Sequence, residues 1–339
     1  MTDLAPLRVV SARPAEDELD APPHSIDAEQ HGLGAVMLSR ALPPLFWTGV
    51  PAPAWVFGTR RTEPYAIDWP AFPSFTTMGQ VRNLRPALTD AAMDSGGFTL
   101  VSKYGEWPVT PAQYVRFLRR YTAESGRLVW ASPQDWMCEP EIITGGRRGL
   151  EVYAGTGLSV AEHQRLTVEN YLTLRTLAPE LPIIPVVQGW EVHEYERCVE
   201  LYDAHGVDLR TEPLVGVGSV CRRADTPIGA AIFATLARAG LRMHGFGVHT
   251  RAILRILRAL AEIGRIDALV STDSMAWSAL ARRRSLRLPG CRHGVTGDGN
   301  CANCPVWAGL WRGDLLTDID RWYRDLTTGP VQLAMGGAA

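Results

Sequence analysis

The chain has 339 residues, enough for one large barrel or two ordinary domains with a substantial core. Its 34 basic and 36 acidic residues leave a net charge of -2, which excludes a protein drawn to nucleic acid by bulk charge but leaves room for local patches. Met1-Thr2-Asp3-Leu4 lacks a basic flank followed by a long apolar core, and no apolar run is long enough to cross a bilayer, so neither secretion nor a membrane partner is expected. Three of the six cysteines fall between 291 and 304 while Cys138, Cys198 and Cys221 are scattered, a pattern that suits metal binding in a reducing, cytoplasmic setting better than disulfides.

Residues 1–30 carry a stretch rich in Pro, Ala, Glu and Asp with little periodicity and are expected to form a flexible arm. Gly34–Leu38 and Ala54–Gly58 read as short buried strands with a proline-rich connection between them, and residues 60–85 as a loop over an active-site mouth. Ala91-Ala92-Met93 reads as the end of a buried strand. Thr110-Pro111-Ala112-Gln113 then supplies an N-cap, a proline at the first helical position and a reciprocal partner, ahead of the apolar stripe Tyr114, Val115, Phe117, Leu118 and Tyr121. Leu128–Ala131 is the next strand, ending at Ser132-Pro133-Gln134-Asp135, and the glycine-rich residues 139–157 read as a loop. Ser159 to Glu162 repeats the capping-box spacing before a helix through Leu177. Ile183–Val187, Leu214–Gly218 and Leu241–Phe246 are further strands. Helices follow over 192–204, after an Asp225 cap with Pro227, and after Thr250. Ala268–Ser271 is the last strand and leads into Asp273. Strands near 36, 56, 92, 130, 185, 215, 244 and 270, separated by helical patterns, predict a (β/α)8 TIM-like barrel over 31–288, with an open doubly wound sheet as the alternative. No Walker loop or dinucleotide fingerprint is present, and no organic cofactor is expected.

Two strand ends carry acids. Asp94-Ser95-Gly96-Gly97-Phe98 follows Met93, and its glycines let the backbone turn tightly and approach a ligand; an ordinary turn is the competing reading. Asp273 ends Val270-Ser271-Thr272. Strand ends of a barrel can bring two such carboxylates face to face across its mouth. Beyond them, Cys291-x-His293 and Cys301-x2-Cys304 give three thiolates and one imidazole within fourteen residues, an expected tetrahedral zinc set. Four protein ligands leave no open position for water, so the zinc is expected to be structural. It would hold residues 289–330, a zinc-binding loop and C-terminal helix with Trp307, Trp311 and Trp322, against the barrel.

These pieces together resemble the tRNA-guanine transglycosylase superfamily, from about residue 90 to 325. Asp94-Ser95-Gly96-Gly97-Phe98 is similar to its Asp-Ser-Gly-Gly-Phe segment, Val187-Gln188-Gly189 to its Val-Gln-Gly, and Gly216-Val217-Gly218-Ser219 to its glycine-rich base-binding turn. Asp273 falls where that family has its nucleophile. Two departures stand out. His293 sits inside the first cysteine pair, and Asp273-Ser274-Met275-Ala276-Trp277 replaces the usual Asp-Cys-Val-x-Pro-Thr-Arg. With little room for added RNA-binding domains, these differences are more like the divergent branch that inserts 7-deazaguanines into DNA.

The resemblance implies a (β/α)8 enzyme that exchanges guanine for a 7-deazaguanine base through a covalent aspartyl-glycosyl intermediate. In that reading Asp273 is the nucleophile, Asp94 the general acid/base, and Asp135 the reader of the N1 and 2-amino edge. Gln188 answers the O6 edge, the Gly218 amide reaches the ring, Gly96 and Gly189 belong to the substrate-binding set, and Ser95 and Ser219 orient base or ribose. Arg222, Arg223, Arg282, Arg283, Arg284 and Arg287 form basic patches able to hold phosphates, or else simply a solvated face. His244 and His249 read as packing or hydrogen-bonding residues rather than catalysts. Trp277 suits either stacking on a flipped base or burial. DNA is the expected partner, with transfer RNA as the alternative; a homodimer and helicase-like or other modification-complex proteins stay open. A barrel that binds nucleic acid without catalysis is the reading from another class.

Overall fold

Parallel strands, each delivering its C-terminal end to one face, set the geometry of everything that follows. The computed structural model describes residues 42–57, 67–221, 223–291 and 299–328. The expected arm, the expected strand at 34–38, Arg222 and His293 lie outside them.

Eight strands form one all-parallel sheet: β1 (Leu45–Gly49), β2 (Ala71–Phe72), β3 (Ala91–Met93), β4 (Leu128–Ala131), β7 (Val186–Val187), β8 (Val215–Val217), β9 (Met243–Gly245) and β10 (Leu269–Ser274). Their order is β4-β3-β2-β1-β10-β9-β8-β7. An isolated parallel bridge between Ala131 and Ile183 ties β4 to the residues leading into β7, so the two outer strands of that order are also neighbours. Read around the ring, the strands follow chain order, as a TIM-like α/β fold requires. A separate antiparallel hairpin, β5 (Gly146–Arg148) with β6 (Glu151–Tyr153), projects after β4.

The helices are α1 (Ala54–Phe57), α2 (Phe75–Met78), α3 (Gly97–Tyr104), α4 (Pro111–Glu124), α5 (Pro140–Thr144), α6 (Val160–Leu177), α7 (Val192–Ala204), α8 (Pro227–Arg238), α9 (Arg251–Glu262), α10 (Ala276–Arg284) and α11 (Pro305–Thr328). Local chemistry starts several of them. Thr110 and Ser159 close full capping boxes on α4 and α6, satisfying backbone donors that the first turn leaves without partners. The cap of α8 is Thr226, whose hydroxyl accepts from the Gly229 amide at 3.1 Å, rather than the expected Asp225, whose carboxylate pairs with Arg255.

Two expectations near the start are corrected. Ala54–Phe57 is a helical turn, held by local bonds such as Val56 N–H to Pro53 carbonyl at 3.0 Å. A four-residue apolar run has no periodicity to separate a strand from a buried helix. The first described strand is instead Leu45–Gly49, inside the stretch read as a proline-rich connection, and β2 lies in the stretch read as a loop. The segment 139–157 likewise contains α5 and the hairpin rather than loop alone.

Alternation along the strands divides the core. Phe46, Ala91, Met93 and Ala131 join the layer that includes the helices, whereas Trp47, Ala92 and Trp130 join Phe72, Ile184 and Leu214 in a cluster without any helix residue, which is the barrel interior. On the outside, α11 buries Ala308, Trp311, Leu315, Ile319 and Tyr323, one stripe at helical spacing. Trp311 meets the Phe46 ring at 5.7 Å, and Trp307 Nε1 donates to the Trp277 carbonyl at 2.9 Å. Each such large side chain contributes about 1.5–3 kcal/mol through burial, so the C-terminal helix is integral to the unit Ala41–Ala339. No helix among the described residues is long and apolar enough to cross a membrane.

Candidate active site and metal centre

Because every strand of the sheet points the same way, the residues just after β3, β4, β7, β8 and β9, and the end of β10, converge on one mouth. Asp94 follows β3 and is partly exposed. Burial is the main cause that lifts its carboxyl to about 6; the charge of Asp273 adds to the rise, and hydrogen bonds from the Gly96 amide and Ser74 side chain oppose it. A group poised near 6 exchanges a proton readily around neutral pH. Gly96 has φ 78°, and a Cβ there would stand 2.5 Å from Thr76 Cγ2, so only glycine can hold its amide in this position.

Asp273 is 8% exposed. Its Oδ1 accepts the Gly247 amide at 2.8 Å and lies 3.2 Å from His244 Nε2. Asp94 follows β3 and Asp273 lies at the end of β10 of the same parallel sheet, so the fold brings the two expected catalytic carboxylates to one face across 179 positions, the separation of 94 and 273, and the charge of Asp273 is one cause of the rise at Asp94.

Asp135, after β4, is also 8% exposed. Its Oδ1 accepts from Ser95 Oγ at 3.4 Å and its Oδ2 from Gln188 Nε2. Gln188 is fully enclosed. Its Oε1 accepts from Ser219 Oγ at 2.6 Å, so both ends of its amide are spent on the protein. A Cβ on Gly218 would sit 2.2 Å from Gln188 Nε2, which is why glycine follows β8 here. Ser219 takes φ 55° and accepts the Cys138 amide at 2.7 Å, tying β8 to the loop after β4. Gly189 packs under Tyr195, where a Cβ would meet its ring at 3.0 Å. The expected base-reading residues are thus assembled, but as a chain in which Ser219 holds Gln188 and Gln188 holds Asp135. The Asp135 carboxylate keeps acceptor capacity toward the mouth.

Burial, followed by the charge of Asp94, raises Asp135 to about 7. The unfolded chain releases this proton near 4, so between 4 and 7 the folded protein binds more protons and loses stability as pH rises. The full cost, on the order of 4 kcal/mol, is present above 7 and absent below 4. Asp135→Asn removes the charge but forfeits one acceptor, worth about 1 kcal/mol. It is expected to unfold at higher denaturant than wild type at pH 8, with the advantage gone by about pH 4. Chemical denaturation across pH measures this, and a less stable Asp135→Asn at pH 8 contradicts it.

The remaining expected residues are dispersed. Arg282, Arg283, Arg284 and Arg287 are exposed at and beyond the end of α10, and Arg283 is near enough to influence His249. Arg223 lies with its guanidinium 4.0 Å over the Trp190 ring. Trp277 has no exposure, stacks on Trp55 at 5.2 Å and donates to the Gly49 carbonyl, which rules out stacking on a base. His163, not singled out in the sequence, braces the loop after β4: its Nδ1 meets the Met137 carbonyl at 2.6 Å and its Nε2 meets Thr156 Oγ1 at 2.7 Å. A pocket of about 300 Å³ is lined by Gly247, whose amide meets Asp273, with His249, Cys221 and Arg251, and a groove of about 760 Å³ runs between α8 and α9; none of the three carboxylates lines either.

Past α10, Cys291, Cys301 and Cys304 place their sulfurs within 4.8 Å of one another, and Cys291 and Cys304 are 3.7 Å apart. None of the six cysteines is in a disulfide. Thiolates bound to a tetrahedral ion at about 2.3 Å stand about 3.8 Å apart, so these three sulfurs fit one metal ion. The Leu288 amide points at Cys301 Sγ from 3.3 Å, a donor suited to a thiolate.

A family model described as DpdA, DeoxyPurine in DNA protein A, matches residues 46–334. No curated protein matches the chain. Among solved structures, an intracellular xylanase from Thermoanaerobacterium saccharolyticum JW/SL-YS485, TsXylA, gives a TM-score of 0.38 at 8% identity, covering 68% of this chain and 85% of that one. A likeness at that level carries no argument about fold or chemistry.

Proposed function

The chain belongs to the DpdA family, DeoxyPurine in DNA protein A, a DNA-modifying guanine transglycosylase family, and from that premise we propose that it replaces guanine in DNA by a 7-deazaguanine through an aspartyl-glycosyl adduct. The pairing of Asp94 with Asp273 at the mouth carries the reading. An ionised Asp273 oxygen attacks C1' of the deoxyribose as the C1'–N9 bond to guanine breaks, and protonated Asp94 supplies a proton to the departing base. The incoming 7-deazaguanine gives its N9 proton to Asp94. Its N9 then bonds to C1', the C1'–oxygen bond breaks, and both carboxyl groups return to their starting states. The rise of Asp94 to about 6 supports this double duty, because both protonation states are accessible near neutral pH.

Asp135 judges the base through its remaining acceptor capacity, with Ser95 and Gln188 fixing its orientation. Arg282, Arg283, Arg284 and Arg287 hold phosphates, attachment without sequence information. Zinc is the metal that best suits Cys291, Cys301 and Cys304 with His293 as fourth ligand; when bound it supplies structural closure and takes no part in base exchange.

A guanine must leave its stack to bring C1' to a recessed carboxylate, at a cost of a few kcal/mol that is least in an open strand. Labelled 7-deazaguanine incubated with the protein is therefore expected to enter single-stranded or partly opened DNA faster than closed duplex, and DNA in preference to guanine-containing transfer RNA. Efficient incorporation into transfer RNA alone overturns the DNA assignment. No incorporation into any polymer, with candidate partner proteins added, overturns the catalytic one.

A further inference from the structure

We propose that His244 is a positioning residue that, with the Gly247 amide, commits Asp273 to attack through Oδ2; the proposal rests on the nucleophile reading above. His244 has no solvent exposure. It stands on β9 in register with Ser271 of β10. Side chains two apart on a strand share a face, so Ser271 and Asp273 both meet its ring. Nδ1 lies 2.9 Å from Ser271 Oγ and Nε2 lies 3.2 Å from Asp273 Oδ1. An ionised carboxylate only accepts, so Nε2 carries a proton; in a neutral ring Nδ1 then accepts from the Ser271 hydroxyl. One tautomer satisfies both bonds.

The surroundings keep the ring in that pose. Trp130 and Phe246 stand 4.7 Å from it, centre to centre, and Phe72 5.7 Å. The second donor is as constrained. Gly247 takes φ 66°, and a Cβ there would lie 2.5 Å from Cys221 Cβ, so the amide reaches Asp273 only because residue 247 is glycine.

Both donors meet Oδ1, and no donor among the described residues reaches Oδ2. The consequence is a division of labour within one carboxylate. Oδ2 forms the bond to C1'. Oδ1 becomes the carbonyl oxygen of the adduct and keeps both hydrogen bonds. When the adduct breaks, the bonding pair returns to the carboxylate, and the two donors already face the charge that reappears on Oδ1. Because they are aimed in advance, they favour expulsion of the carboxylate without further reorganisation.

Three measurements test this. In wild type labelled with ¹⁵N-histidine, His244 is expected to carry a proton on Nε2. His244→Phe keeps an aromatic ring but no donor, and single-turnover adduct formation and breakdown are expected to slow about 10- to 100-fold, with DNA affinity changed by less than about twofold. His244→Ala leaves a ring-sized space. Added imidazole is expected to restore adduct turnover there, while thiophene, a five-membered ring without N–H, is not. An Nδ1–H tautomer, equal rescue by both rings, or a folded His244→Phe with wild-type adduct kinetics overturns the proposal. Should His244→Phe fail to fold, the tautomer and the rescue decide. A wild type that forms no adduct overturns the nucleophile reading and this one with it, and differs from failure of this one alone, in which the wild-type adduct is intact.

Discussion

Asp273→Asn is expected to abolish base exchange, by at least about 100-fold, and to eliminate any denaturant-stable link between protein and DNA. The asparagine oxygen can accept the Gly247 amide and His244 Nε2 as Oδ1 does now, so the substituted chain keeps its local bonds and its fold. What it presents toward C1' is an amide nitrogen, whose lone pair is delocalised and does not trap an electron-poor carbon. Losing the charge also removes one cause of the rise at Asp94, whose carboxyl should titrate below its present value of about 6. Asp94→Asn fails differently. It removes the proton donor while leaving the nucleophile in place, so slow adduct formation survives while completed exchange does not. Denaturing gel analysis of protein mixed with labelled DNA separates the two, and full exchange activity in Asp273→Asn would sink the covalent assignment.

The sequence made this site legible to the extent that strand ends were legible. Met93 into Asp94, Val187 into Gln188 and Val217 into Gly218 each join an apolar run to a turn, and the run fixes where the side chain emerges. Six of the eight expected strands, near 92, 130, 185, 215, 244 and 270, lie where periodicity places them. The one near 56 did not, because short apolar runs around prolines look alike whether they become strand or helix: Ala54–Phe57 is helical, and the strand lies at Leu45–Gly49 in the stretch read as a connection, while the one near 36 lies outside the described residues. The hierarchy inside the site was hidden for another reason. Gln188 supports Asp135 rather than facing the mouth, a fact set by the closeness of Gly218, which belongs to a different strand. Likewise His244 meets Asp273 only through the pairing of β9 with β10, and no local spacing encodes a cross-strand contact. Trp277 is buried because α1 and α11 close over it, long-range packing that a tryptophan after a strand end does not reveal.

Removing the metal is expected to have the largest effect on the fold. Protein purified without chelator should contain about one zinc per chain, and stripping it should release residues 286–328 from the barrel. The coupling of metal binding to folding at a structural zinc is worth about 10 kcal/mol or more, comparable with the 5–15 kcal/mol that holds a whole domain together. The connection runs through named contacts. Cys301 N–H donates to the Leu286 carbonyl at 2.7 Å just after α10, and Cys304 directly precedes α11. The ion therefore fixes the angle at which α11 starts, and α11 is what covers Phe46 of β1 with Trp311 and continues the buried stripe through Leu315 and Ile319. Without the ion, the three sulfurs that lie within 4.8 Å of one another lose the bonds that would hold them there, and with them the clamp on the start of α11. Cys304→Ser and His293→Ala should both lower zinc content and increase hydrogen exchange across α11, with Cys304→Ser the more severe because it also changes a fully buried position. Loss of zinc should reach Asp273 as well, since α10, which follows β10 directly, packs on α11 through Trp277 and Trp307. Exchange activity should consequently fall with the tail rather than independently of it. Metal analysis, hydrogen exchange over 286–328 and base incorporation measured on the same preparations provide the check. A metal-free protein with a protected α11 and full activity would show that the three cysteines are packing residues and that α11 holds its place by burial alone.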